Sequence, residues 1–294
     1  MHALVKKSFL RGVMLLPLAA SLPLALQAQV DDGPPNVLVI QREYLKPGKG
    51  GMLHDRSEAA FVRAFSSGGE PNIHYFAMDS LSGPSRALFL SAYDSYADWQ
   101  KEIDALGANK SKTAAVDHAA LLDGDLLASY DAVAMTLRPD LSLNKGHIKG
   151  TRYFEITTFI VKPGHLREFT ELAHIYVDTF RKVAPDTHWD TFEVMYGSPT
   201  PGIPAGDTFV VINTMESLAE VDAAMKNGDK FAAALGEDGL KKVGELSAAS
   251  IETTGTNLFA INPRMSNPYA EWVKRDPTFW KGPVPPTEKK AASK

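Results

Sequence analysis

The chain of 294 residues contains no cysteine. That excludes disulfides, iron–sulfur clusters, thiolate zinc sites and cysteine nucleophiles together. Long apolar runs are scarce too. The most prominent, residues 13–25, is interrupted by Pro17 and Pro23 and falls short of the about 20 apolar residues that a membrane-spanning helix needs. The patterns His-Glu-x-x-His, Gly-x-Ser-x-Gly, Gly-x-Gly-x-x-Gly and the Walker loop do not occur, so zinc peptidase, α/β-hydrolase and nucleotide-binding chemistry lose their usual support. Positive charge is in deficit. Without Lys6, Lys7 and Arg11 the chain has 28 basic residues against 35 acidic ones, which argues against nucleic acid as a partner.

What is present is an ordinary globular composition, 44% hydrophobic and 22% charged, behind a distinctive first segment. Residues 1–28 run from a basic stretch through the apolar run to small residues ending at Ala28. This is the order of a secretory signal peptide, with cleavage expected between Ala28 and Gln29. No cysteine follows the cut, so a bacterial lipid anchor is excluded. The expectation is an exported protein, periplasmic or secreted, with no membrane span. The remaining chain is long enough to bury a core without disulfides.

The most informative feature is an internal repeat. A strand, a Lys-Pro-Gly turn and a helix occupy residues 36–65, with Lys46, Pro47 and Gly48 at the turn, and recur at 152–180 with Lys162, Pro163 and Gly164. Ser95-Tyr96-Ala97-Asp98 then matches Ser217-Leu218-Ala219-Glu220, and Arg138-Pro139-Asp140-Leu141-Ser142 matches Asn262-Pro263-Arg264-Met265-Ser266. The offsets grow in order from 116 to 122 to 124, as expected when loops lengthen after duplication. Each copy reads β-α-β-β-α-β, the split βαβ or ferredoxin-like arrangement. Leu166, Phe169, Ala173, Tyr176 and Phe180 fall at helical spacing and predict a stripe facing the core. The predicted organisation is a leader (1–28), a first repeat (29–142), a linker (143–150), a second repeat (151–266) and a tail (267–294). Trp272, Phe279 and Trp280 in that tail read as a strap onto the domain.

These features, from the Lys-Pro-Gly opening to the β-α-β-β-α-β order, resemble the dimeric α/β-barrel superfamily, in particular its NIPSNAP-like and antibiotic-biosynthesis-monooxygenase-like branches. The resemblance covers about residues 36–266. It implies an α+β fold in which two tandem ferredoxin-like repeats form one pseudo-dimeric barrel within the chain, as a monomer or as a homo-oligomer. The superfamily's range of activities includes cofactor-free oxygenases, haem-dependent enzymes and proteins without known activity.

Alternation along the strands supplies candidates for chemistry. Glu155 and Thr157 share one face of the second copy's first strand, and Gln41 and Glu43 share one face of the first copy's. These are expected to point into the barrel, where a carboxylate has a raised pKa and can act as acid or base. His74-Tyr75 and His188-Trp189 open the second strands, and Asp190 follows His188 on the same strand face. Glu155, His188 and Asp190 are the catalytic candidates; Gln41, His74, Thr157 and Trp189 are the ligand-binding ones. No metal ligands are assigned. His174 with Asp178 and His54 with Glu58, each four apart, read as helix-surface pairs, and Asp123-Gly124-Asp125 reads as a break in a helical region. Three functions stay open: a cofactor-independent, oxygenase-like protein that binds or converts a small apolar molecule, a haem protein ligated by His188 or His74, and a non-catalytic envelope protein acting through its surface or tail.

Overall fold

A computed structural model describes residues 33–67, 69–144, 146, 148–197 and 207–281. The expected leader, His147, most of the connection at 197–206 and the end of the tail lie outside the described residues. The first half of the chain contains β1 (Val37–Leu45), α1 (Met52–Ser66), β2 (Phe76–Ser80), β3 (Arg86–Tyr93), α2 (Tyr96–Ala108), α3 (Lys110–Asp123) and β4 (Leu127–Leu137). The second contains β5 (Tyr153–Val161), α4 (Leu166–Val183), β6 (Asp190–Tyr196), β7 (Thr208–Met215), α5 (Ala219–Ser250) and β8 (Ile251–Ile261), and the tail adds α6 (Ala270–Arg275) and α7 (Pro277–Lys281).

Local signals place the helix boundaries. The side chain of Ser95 accepts the amide of Asp98 at the start of α2, and that of Asn109 accepts the amide of Lys112 at the start of α3, each satisfying a donor that a helix end leaves open. The helical region after β3 is thereby divided in two. Its counterpart, α5, runs on as one element with a break at Gly236, where φ is 64°, a backbone conformation that suits glycine.

The strands form a closed antiparallel barrel in the order β1-β3-β2-β8-β5-β7-β6-β4. Within each half the order is the same, β4-β1-β3-β2 and β8-β5-β7-β6, and the halves join at β2–β8 and β4–β6. The registers correspond as well. Val37 faces Tyr93 and Thr136, while Tyr153 faces Met215 and Ala260. The spacings between these partners are the 116, 122 and 124 residues of the sequence matches. The barrel closes within one chain.

An eight-stranded barrel has an interior just wide enough for side chains to fill, and here the filling is apolar. Leu38, Ile40, Leu88, Leu90, Met135, Phe154, Ile156, Phe192, Val210 and Phe259 belong to one buried cluster. The helices cover the outer wall. Phe169 of α4 stacks on Phe209 at 4.7 Å between ring centroids, while Tyr176 and Phe180, further along the same stripe, stack on Phe231 of α5. The tail closes one end of the barrel. Trp272 stacks on Phe76 at 4.5 Å, Trp280 lies 5.9 Å from the same ring, and Arg152 pairs with Asp276 and lies over Phe279. No helix among the described residues is long and apolar enough to cross a membrane.

Candidate functional site

Two neighbouring positions on β1 divide the molecule's chemistry. Arg42 faces the barrel interior and Glu43 faces the helices, because successive strand residues point to opposite faces. Inside, at the end away from the tail helices, lies a cavity of about 230 Å³. Its walls include Ile40, Leu88, Val133, Met135, Ile156, Ile160, Val210 and Phe259, with Arg42, Arg86, Thr158, Thr253, Thr254 and Asn257 as polar groups. Arg42 is bound to Asp131, Nε to Oδ1 at 2.5 Å. Arg86 has a different setting. Its guanidinium lies 5.1 Å from the Phe259 ring centroid and 5.9 Å from that of Tyr44, and its buried Nε has no hydrogen-bond partner. The cavity therefore combines an apolar wall with a cationic side chain whose buried Nε lacks a protein partner, the composition of a small-molecule site.

The expected inward face is reversed. Phe154, Ile156 and Ile160 line the interior, while Glu155, Thr157, Gln41 and Glu43 stand on the outer wall. A narrow lumen surrounded by protein leaves no water for a carboxylate, so the more apolar face turns inward. Thr157 Oγ1 lies 2.8 Å from Thr256 Oγ1 on β8, and Gln41 is exposed and donates its Nε2 to Glu43.

His188, Trp189, Asp190 and His74 do not line the cavity. His188 Nε2 lies 3.0 Å from both the carbonyl oxygen and Oγ1 of Thr214. Trp189 donates to the Leu141 carbonyl, and its ring meets Phe180 edge-on. Asp190 is buried, and burial pushes its carboxyl up to about 6, against a lowering hydrogen bond from the Gly146 amide. His74 Nδ1 lies 3.2 Å from the Asn267 carbonyl oxygen, and its ring packs on Tyr269. These groups tie the linker and the tail to the barrel. Neither imidazole faces the cavity: His188 is engaged with Thr214 and His74 with Asn267.

Outside the barrel wall the structure brings together four residues that the sequence reading kept apart. Glu43 on β1, His54 and Glu58 on α1, and Asp123 at the end of α3 are all buried. The exposure of His54 and Glu58, 1% and 2%, overturns their reading as a surface pair. Their helix face turns onto β1 and α3 rather than to water. His174 and Asp178, the other such pair, are exposed as expected. Asp123 does end a helix, followed by Gly124, and it also enters this cluster.

Burial sets the electrostatics of the cluster. The Glu58 carboxyl is pushed up to about 10, chiefly by burial and then by the charges of Glu43 and Asp123. Glu43 is raised by burial, against the lowering hydrogen bond from His54. For His54 burial acts downward, but the hydrogen bond and charge of Glu43 outweigh it and hold the imidazole above its ordinary value. The Tyr75 hydroxyl, buried without a partner, is raised by burial and by Glu58 and Glu43. A sequence signal for this cluster exists in hindsight. The position on β5 whose register corresponds to Glu43 is Phe159, packed in an aromatic layer against Phe169, so a carboxylate on β1 is not required by the fold.

No protein-family model matches the chain, and no curated protein sequence does. Solved structures do. An anthrone oxidase-like protein aligns over 79% of this chain and 92% of its own, with a TM-score of 0.50 and 14% identity. A protein described as a monooxygenase of Fusobacterium nucleatum aligns over 76% of this chain and 91% of its own, with a TM-score of 0.48 and 11% identity. A haem-binding protein from Thermus thermophilus aligns over 80% and 94%, with a TM-score of 0.43 and 12% identity. At such identities the likeness speaks to the fold, and the fold is the α+β barrel with ferredoxin-like halves.

Proposed function

We propose that this protein binds a small, largely apolar molecule with an anionic or strongly polar end in the open mouth of its barrel. The observation that carries this reading is the cavity of about 230 Å³ in which Arg86 keeps a buried donor without a partner. The apolar wall would hold the body of the ligand, and Arg86, with Thr158, Thr253 and Asn257 nearby, would receive its polar end. Arg42 is committed to Asp131 and serves to shape the mouth. Among the lining residues there is no His, Asp or Glu. The reading is therefore binding, in place of the oxygenase-like conversion by Glu155, His188 and Asp190. The surface-acting alternative loses its aromatic tail, because Trp272 and Trp280 pack onto Phe76.

We infer, too, that residues 1–28 direct export and that the two halves arose by tandem duplication of a NIPSNAP-like unit, with the buried acidic cluster elaborated in the first half and the ligand site lined by both. The chain completes its own barrel, so the pocket requires no second copy.

The test is calorimetric titration of residues 29–294 with 1-naphthoate and, in parallel, with neutral naphthalene-methanol. We expect saturable binding at one molecule per chain, at least about tenfold tighter for the carboxylate, consistent with a charge-assisted hydrogen bond. Arg86→Met should remove that preference. Equal affinity for both probes, or none for either, would overturn the assignment.

A further inference from the structure

We propose that Glu43, His54, Glu58 and Asp123 form a binding site for one divalent first-row transition-metal ion, held between β1, α1 and α3. The site is separate from the barrel cavity, and the argument does not depend on what the cavity binds.

The geometry is that of a coordination sphere. One atom from each residue lies within 4.8 Å of all the others. His54 Nε2 lies 3.1 Å from Glu43 Oε2, 3.8 Å from Glu58 Oε1 and 3.7 Å from Asp123 Oδ1. Four donors at ordinary metal bond lengths of about 2.0–2.2 Å, arranged tetrahedrally, stand roughly 3.3–3.6 Å apart. The three separations from His54 Nε2 bracket that range, and that single ring nitrogen faces all three carboxylates. Nε2 is then the ligating atom, and the ring proton falls to Nδ1, which is buried without a partner in the protein.

A second observation points to a missing ligand. Glu58 Oε1 and both carboxylate oxygens of Asp123 are buried without a hydrogen-bond partner, in residues only 2% and 1% exposed. Buried carboxylates are ordinarily paired with a cation, hydrogen-bonded or bound to a metal. Among the described residues no lysine or arginine pairs with them, and His54 alone faces all three carboxylates. Lys112, the buried lysine of α3, sends its ammonium group to the Phe65 carbonyl instead. Glu58 meets the charges of Glu43 and Asp123, both of the same sign, and its one proton-sharing neighbour among the carboxylates is Asp123, which brings no positive charge. A divalent ion would offset most of the charge of three carboxylates and engage Glu58 Oε1 and one oxygen of Asp123 at once.

The donor set selects the class of ion. Imidazole suits zinc, iron and related ions, whereas magnesium and calcium favour an all-oxygen shell. Three carboxylates beside one imidazole, with no sulfur, fit Zn²⁺ or Mn²⁺ better than a copper(I) site. The low exposure of all four side chains points to an ion that is installed and kept rather than exchanged at every turnover.

The test uses residues 29–294 without a histidine tag, stripped with EDTA. Titration with Zn²⁺ or Mn²⁺ should show one ion per chain and a rise in Tm, since an ion bound only to the folded state stabilises it. Co²⁺ loaded in the same way should give the visible absorption of a tetrahedral or five-coordinate site, a readout that needs no variant. Asp123→Asn and Glu43→Gln should each weaken binding by more than the roughly 10–100-fold that loss of a supporting residue costs, and circular dichroism establishes that they are folded. Folded wild-type protein with neither a Tm rise nor a Co²⁺ spectrum would overturn the site. So would unchanged affinity in both folded variants. Binding of Ca²⁺ but not Zn²⁺, Mn²⁺ or Co²⁺ would overturn the ion class.

Discussion

Arg42 and Glu43 are consecutive on β1 and stand on opposite sides of the barrel wall, Arg42 beside the cavity and bound to Asp131, Glu43 at 3.1 Å from the imidazole of His54. One strand of the first half thus serves two sites with opposite charge. At the corresponding positions on β5 stand Thr158 and Phe159, which carry no charge.

Val133 lines the cavity, so Val133→Phe should fill it. In a tightly packed core such an enlargement costs about 1–3 kcal/mol. Here the added ring has room, and the expected result is a loss of 1-naphthoate binding of at least about tenfold with a smaller change in Tm than that cost implies. Thermal unfolding and titration of the same sample check it. Strong destabilisation would mean that the space is not available.

Asp190 gives the folding stability a pH dependence. Burial pushes its carboxyl up to about 6 in the folded state, from the ordinary 3.8 of an aspartate in water. Between those values the folded chain holds more protons than the unfolded one, so stability falls as pH rises from about 4 to 6 and then levels off. The shift corresponds to roughly 2–3 kcal/mol for this buried group. Asp190→Asn can keep an acceptor for the Gly146 amide and should remove this part of the slope. Urea midpoints from pH 4 to 8 test it, and parallel curves for both proteins would refute it.

Trp272 seals the far end of the barrel by stacking on Phe76. Trp272→Ala should cost about 3–5 kcal/mol, the usual range for a buried large aromatic. It should also leave the affinity of the open mouth for 1-naphthoate within about threefold, because the two ends share few walls. A loss of binding together with the loss of stability would show that the ends are coupled.

Much of the fold could be read from the chain because it rests on spacing. The strand at 153–161 and the offsets of 116, 122 and 124 residues reappear as hydrogen-bonded registers. The faces were not legible in the same way. Alternation shows that Glu155 and Ile156 point in opposite directions, but not which of the two meets the lumen, and a barrel buries both faces of its wall. His54 and Glu58 were misread because an i, i+4 pair looks alike on a wet and on a dry helix face; the distinction lies in Glu43 and Asp123, which arrive from 11 residues before and 69 residues after His54. Arg86 carried no signal beyond its place at the start of a strand, β3. Of the candidates with legible motifs, His74 fastens the tail through Asn267, and His188 is held to Thr214 of β7.

The stacking of Trp272 and Trp280 on Phe76 makes the barrel a cup rather than a pipe. A molecule bound beside Arg86 as proposed would leave by the rim it entered, polar end first. On that reading the protein would not pass cargo through itself from one side to the other. Handing a molecule on to a partner would require that partner to approach the rim formed by the ends of β1 and β5 and the starts of β3 and β8, since the opposite end is stoppered by the chain's own tail.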